Sequence, residues 1–185
     1  QNLILNLLVD VYPVAYIDKI VKLKLKNLDA LRKFVESADP ELLVKLGKKK
    51  AFYVFKRAAK NIRHYREFLE NRNINSSTIR NFDDFVNKAP TIDKESYVKT
   101  SKFLSDMCLN EHISEAEILV RSSGFTGKPC TWPRSKEEEE DSKTFFTFGL
   151  DLLYHTYKYR SLFINGFALG TWVSGVDVLK ASGDM

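Results

Sequence analysis

Glycine is confined almost wholly to one end of this 185-residue chain. Of eight glycines only Gly47 precedes position 124, and the other seven lie between Gly124 and Gly183. Glycine inside a helix or strand costs backbone entropy, so helical layers hold few, whereas α/β layers need one wherever a strand turns sharply into a helix. The distribution predicts a mainly helical region over residues 1–115 and the start of an α/β layer over 116–185. Charge changes near the same place. Residues 1–121 hold 22 Lys and Arg against 16 Asp and Glu, while residues 122–185 hold 7 against 8. No repeat or low-complexity linker separates the two parts.

Composition narrows the class. Hydrophobic residues make up 44% and charged residues 29%, a globular balance that excludes disordered and collagenous chains. Cys108 and Cys130 cannot form a disulfide scaffold, and neither has metal-ligand spacing with the other or with His64, His112 and His155. The longest apolar stretch, residues 3–17, is interrupted by Asn6, Asp10 and Pro13. It matches neither a membrane span nor a secretory signal with a basic start. The expectation is a soluble, cytoplasmic protein without a membrane span. The chain opens on Gln1 rather than Met, and the expectation is a piece of something longer.

Local signals place the elements. Asp39-Pro40-Glu41 reads as an N-cap, a proline at the first helical position and an acid facing the helix dipole. A long helix should follow to about residue 71, with Gly47 as its candidate break. Phe55, Ala58, Ile62, Tyr65 and Leu69 step by three or four and predict a buried stripe. A short helix is expected over 82–87 and another over 94–101, capped by Asp93. Ile118-Leu119-Val120-Arg121 reads as a strand. Ser135-Lys136-Glu137-Glu138 is a capping box opening a helix to about residue 159, with Phe145, Phe148 and Leu152 on its buried face alongside Phe146, Leu153 and Tyr157. Residues 161–165 form a second candidate strand.

The stretch Arg121-Ser122-Ser123-Gly124-Phe125-Thr126-Gly127-Lys128-Pro129 carries the chemistry. Two glycines let successive amides converge on an anion. Ser122, Ser123 and Thr126 add hydroxyl donors, and Lys128 adds a cation. It is not a Walker loop, because two residues separate the glycines and Pro129 follows Lys128. From composition alone, an ordinary Ser/Gly hairpin loop is equally open.

The run Ser122-Ser123-Gly124-Phe125-Thr126-Gly127-Lys128-Pro129, placed after a strand, resembles the Ser/Thr/Gly-rich phosphate loop of the AMP-forming adenylating enzymes. Upstream, Tyr65-Arg66-Glu67-Phe68, Phe82-Asp83-Asp84-Phe85 and Ala89-Pro90-Thr91-Ile92-Asp93-Lys94 look like the N-terminal region of the phenylacetate–CoA ligase-like branch. The resemblance covers about residues 60–175. In two places the chain departs from the pattern: Phe125 stands where the family usually has Ser or Thr, and Cys130 where many relatives have Lys. The resemblance implies an α/β (mixed) fold in which the helical N-terminal region is followed by the first strand–loop–helix units of an adenylating large domain. It implies activation of a small-molecule carboxylic acid by ATP with Mg²⁺, through an acyl-adenylate, then transfer to coenzyme A. Ser122, Ser123, Gly124, Thr126, Gly127 and Lys128 would bind the ATP phosphates. The family's adenine and ribose contacts and its catalytic lysine lie downstream of this loop. The chain is therefore expected to be an N-terminal portion, inactive alone, with no catalytic or metal-ligating residue of its own.

Other readings stay open. Asn165, Gly166 and Phe167 follow the second candidate strand, where ligand sites of open α/β sheets lie. They are candidates for the acyl pocket, with tight strand–helix packing as the alternative. Residues 42–66 hold nine Lys and Arg and no acid. Lys49, Lys56, Lys60 and Arg63 would share one helix face, either as a contact for an anionic membrane or nucleic acid in a non-catalytic module, or as a solvated face. An adenylating enzyme that passes the acyl group to a protein thiol is a further alternative.

Overall fold

The computed structural model describes residues 9, 11–24, 27–122, 124, 129–156, 158–170 and 172–183. They divide at Ile92/Asp93 into two compact units, so the residues between that point and the first strand belong with the second unit. The described chain is mixed: helix-rich, with one small antiparallel sheet.

The first unit contains α1 (Val14–Lys24), α2 (Leu28–Ser37), α3 (Pro40–Asn61), α4 (Arg63–Glu70) and α5 (Phe82–Lys88). Asp39 caps α3 by accepting from the Glu41 amide at 3.0 Å, with Pro40 in the first turn. The helix passes through Gly47 without interruption and ends at Ile62, which is extended at φ −107° and ψ 111°. The break expected at Gly47 therefore falls elsewhere. A lone glycine costs a helix only about 1 kcal/mol, and this one sits where the chain has no reason to turn. At the true break, the Arg66 guanidinium donates to the Lys60 carbonyl at 2.7 Å, satisfying a group that the helix end leaves unpaired. Past the break, His64, Tyr65, Phe68 and Leu69 are buried, as are Phe55 and Ala59 of α3. The Phe55 ring lies 6.3 Å from Tyr65, edge to face, and 5.1 Å from Phe85 of α5. A second cluster joins Val9, Ile17 and Leu42, with Leu46 against it.

The second unit opens with turns and short 3-10 segments up to Glu115. Asp93 caps as expected, accepting from the Ser96 amide at 2.7 Å. The α-helix expected over 94–101 is instead a wide turn followed by a 3-10 segment, Val98–Thr100. There the Lys99 amide reaches back five residues to the Lys94 carbonyl. Two strands follow: β1 (Ala116–Arg121) and β2 (Thr131–Ser135), paired antiparallel from Ala116–Ser135 to Arg121–Thr131. Val120 of β1 is fully buried.

Two helices complete the unit: α6 (Lys136–Tyr154) and α7 (Val173–Ser182). The capping box of α6 is formed on both sides. Ser135 accepts from the Glu138 amide, and the Glu138 carboxylate accepts from the Ser135 amide at 2.7 Å. The helix stops at Tyr154, short of residue 159, because His155 adopts the left-handed conformation at φ 52° and donates its amide to Asp151. Its buried face also differs from the expected one. Glu139, Thr147 and Asp151 are buried, while Phe145 is 72% and Leu153 74% exposed; Phe146, Phe148 and Leu152 are half-buried, and Tyr157 lies outside the described residues. The reason is the small sheet: two strands of six and five residues cannot cover a 19-residue helix. The helix is held instead by polar contacts with α7. Residues 161–165 carry no strand pairing. The strand-like contact falls later, as a single parallel bridge between Arg121 and Trp172.

Candidate functional site

The chemistry-bearing sequence connects β1 to β2, and its two ends are tied together. The Ser122 amide donates to the Cys130 carbonyl at 2.9 Å, and the Ser122 Oγ accepts from the Cys130 amide at 2.9 Å. Because that hydroxyl accepts from Cys130, its own proton is left to donate elsewhere. Gly124 has φ +70°, a conformation that L side chains rarely adopt. Ser123, Thr126, Gly127 and Lys128, together with Phe125, lie outside the described residues. Ser122 and Gly124 thus stand at the neck of a hairpin connection, with one hydroxyl proton and one left-handed backbone position at its entrance.

The described contacts of Asn165, Gly166 and Phe167 lie away from this neck. The Asn165 side chain donates to the Gly175 carbonyl at 3.3 Å and accepts from the Phe167 amide at 3.0 Å. It is a clip between this segment and α7. Phe167 is exposed, and a side chain at Gly166 would meet nothing within 4 Å.

Beneath the hairpin lies a group of charges. Arg134 of β2 donates through Nη2 to Asp177 Oδ1 at 2.6 Å, and through Nη1 to Asp177 Oδ2 at 3.3 Å and Ser142 Oγ at 3.2 Å. Its Nε lies 2.5 Å from Glu139 Oε1, close enough for an ion pair though not aligned as a hydrogen bond. The other Glu139 oxygen pairs with Lys180. Glu139 and Asp177 are only 7% and 6% exposed. Arg134, Glu139 and Asp177 are largely desolvated, where an unpaired charge would cost several kcal/mol, and the partly exposed Lys180 completes the balance of two positive and two negative groups. This network was not among the sequence-derived candidates. The usable signal was Asp177, an acid within the otherwise apolar stretch Val176 to Leu179, which on a packed helix needs a counter-charge.

The basic stretch of α3 and α4 is largely committed to internal contacts. Lys49 Nζ donates to the carbonyls of Val9 and Tyr12, Lys56 to that of Ser76 at 3.3 Å, and Arg66 to that of Lys60. Lys50 pairs with Asp18 at 3.1 Å, and Arg63 with Glu67 at 3.0 Å. Lys48 lies 5.7 Å from the centre of the Phe82 ring. Lys49 and Lys56 reach to different segments, so the expected common face of Lys49, Lys56, Lys60 and Arg63 does not stand free as a unit.

Neither cysteine is bonded to the other. Burial, and to a smaller degree the Glu138 charge, push the Cys108 thiol above its ordinary range, which disfavours the nucleophilic thiolate. Its Sγ contacts the Leu104 carbonyl at 3.3 Å. Among the described residues no group of three His, Cys, Asp or Glu is arranged to hold a metal ion, and no helix is long and apolar enough to cross a membrane. No protein-family model matches the chain, and no curated protein or solved structure is found to be similar to it.

Proposed function

We propose that this chain carries the ATP phosphate loop of an AMP-forming acid–thiol ligase of the phenylacetate–CoA ligase-like kind. The observation that carries this reading is the hairpin neck: a Ser/Thr/Gly-rich connection closed by Ser122 and Cys130, with Gly124 left-handed. In this reading a substrate carboxylate oxygen attacks the α-phosphorus of ATP, the bond to the β-phosphate bridging oxygen breaks, and pyrophosphate leaves. The thiol of coenzyme A then takes the acyl group from the adenylate and AMP departs. Ser122, Ser123, Gly124, Thr126, Gly127 and Lys128 would act on the first step by neutralising and orienting the β- and γ-phosphates as the leaving group. A Ser122 hydroxyl that accepts from the Cys130 amide still carries a proton to offer an anion. Mg²⁺ would travel with the nucleotide, supplying charge neutralisation; the described residues offer it no acidic cluster. Adenine, ribose and the catalytic lysine call for residues outside these 185, so the chain is an N-terminal portion of the ligase in this reading.

The test is carboxylic-acid-dependent exchange of labelled pyrophosphate into ATP by the intact enzyme, with a melting curve for each variant. A hydrogen bond to a charged group contributes about 1.5–3 kcal/mol. Lys128→Ala and Thr126→Ala should therefore each slow exchange by roughly ten- to a hundred-fold if the contacts strengthen at the transition state. Phe125→Ser should keep or mildly raise the rate. Unchanged exchange in both Lys128→Ala and Thr126→Ala, with normal melting, overturns the assignment.

A further inference from the structure

Both arms of the hairpin are fastened to one helix. β1 is bridged through Arg121 to Trp172, the residue that immediately precedes α7. β2 is held through Arg134 to Asp177, about one turn into α7, by two guanidinium–carboxylate hydrogen bonds. The same guanidinium engages Glu139 and Ser142 of α6, and Lys180 of α7 closes the circuit on Glu139. A bidentate guanidinium–carboxylate pair fixes orientation as well as distance, because both groups are planar. Cys130, which closes the neck on Ser122, directly precedes β2. β2 thus carries one side of the neck, and Arg134 ties that strand to α7.

We propose that Arg134 and Asp177 are positioning residues: their pair, with the Arg121–Trp172 bridge, makes α7 the brace that sets the neck opening and hence the affinity for the triphosphate. The claim about affinity rests on the phosphate-loop reading; the claim about the neck does not. A bystander ion pair would hold the unit together without favouring any part of it.

Amide hydrogen exchange on the 185-residue chain tests this, using Asp177→Asn and Arg134→Lys. Asp177→Asn keeps a polar group against the guanidinium, and Arg134→Lys keeps a positive charge beside the two buried carboxylates. In both variants the Ser122 and Cys130 amides should exchange at least about tenfold faster, while amides in the middle of α6, such as Phe148, stay within about twofold, as local opening requires. Unchanged exchange at Ser122 and Cys130, or equal acceleration throughout the second unit, overturns the brace. In the intact enzyme the same variants should raise KM for MgATP several-fold with little change in kcat; an equal fall in kcat with KM unchanged also overturns it. Absence of exchange activity in the unaltered enzyme would remove the ATP reading and leave the amide result to decide the brace.

Discussion

A methyl group added at Gly175 would sit 2.1 Å from the carbonyl oxygen of Ala168, and that neighbour is backbone, which cannot swing aside. The same methyl at Gly47, in the interior of α3, would meet nothing within 4 Å. Helix propensity favours alanine over glycine by about 1 kcal/mol, and overpacking costs about 1–3 kcal/mol. The two substitutions should therefore have opposite signs. Gly47→Ala should raise stability by about 0.5–1 kcal/mol and Gly175→Ala should lower it, read as urea midpoints of each variant. Sequence alone could not separate these two glycines, since the difference lies in what stands 2 Å away. Gly124 was more legible, because a glycine amid hydroxyl residues after a strand foretells a turn needing positive φ. Cys108 gives a test in pH. Its thiol is raised by burial first and by Glu138 second, so the folded state favours the neutral form. The stability this gives is present below the unfolded thiol value, about 8.5, and is lost as pH rises through the folded one. Cys108→Ser should remove that part of the alkaline decline in urea midpoint, and iodoacetamide at pH 8 should label Cys108 more slowly in the folded chain than in urea. Equal labelling rates would contradict the burial argument.

At the scale of elements, signals that involve only neighbours in sequence were readable, and signals that depend on what lies across the fold were not. The α3 cap at Asp39, the Ser135–Glu138 capping box and β1 all follow from residues within one turn or one strand. β2 was missed because Thr131-Trp132-Pro133-Arg134-Ser135 contains a proline, which a central strand excludes; it survives here on a two-stranded hairpin, where one side of every strand is an edge. The buried face of α6 was misjudged because its aromatic periodicity is real while the surface available to cover it is small. The basic helix offers a test at this scale. If all nine cations of residues 42–66 met phosphates, the logarithm of affinity for duplex DNA would fall with that of salt with a slope of about −8. With six of them engaged internally, binding by the 185-residue chain should be weak, with a slope no steeper than about −3. A steep slope in a salt-titrated fluorescence-anisotropy assay would revive the interaction-module reading.

For the whole molecule, the mixed composition of elements followed from a simple bias, the crowding of glycine beyond position 124, whereas the contact boundary at Ile92/Asp93 lies away from that change in glycine content and is not marked by any single residue that stands out in the sequence. The chemistry is distributed just as unevenly. In the second unit, the buried polar residues Glu139, Thr147 and Asp177 are engaged in holding α6, α7 and β2. The groups assigned to ATP all belong to a single connection of nine residues. In the proposed reading that connection neutralises phosphates, but adenylation also requires the base and sugar to be held and the carboxylate to be aligned on the α-phosphorus, and positioning of that kind supplies a large part of a rate enhancement. The 185-residue chain alone should therefore show no acid-dependent exchange of pyrophosphate into ATP above the buffer blank, whereas a protein in which the chain continues through an adenine site, a ribose-binding acid and a late glycine-flanked lysine should show it. The assay needs a panel of aromatic and aliphatic carboxylic acids, with Lys128→Ala of the longer protein as the matched negative. Exchange by the short chain, abolished by Lys128→Ala, would mean that the nine-residue connection and its brace suffice for adenylation, and the division of labour argued here would be wrong.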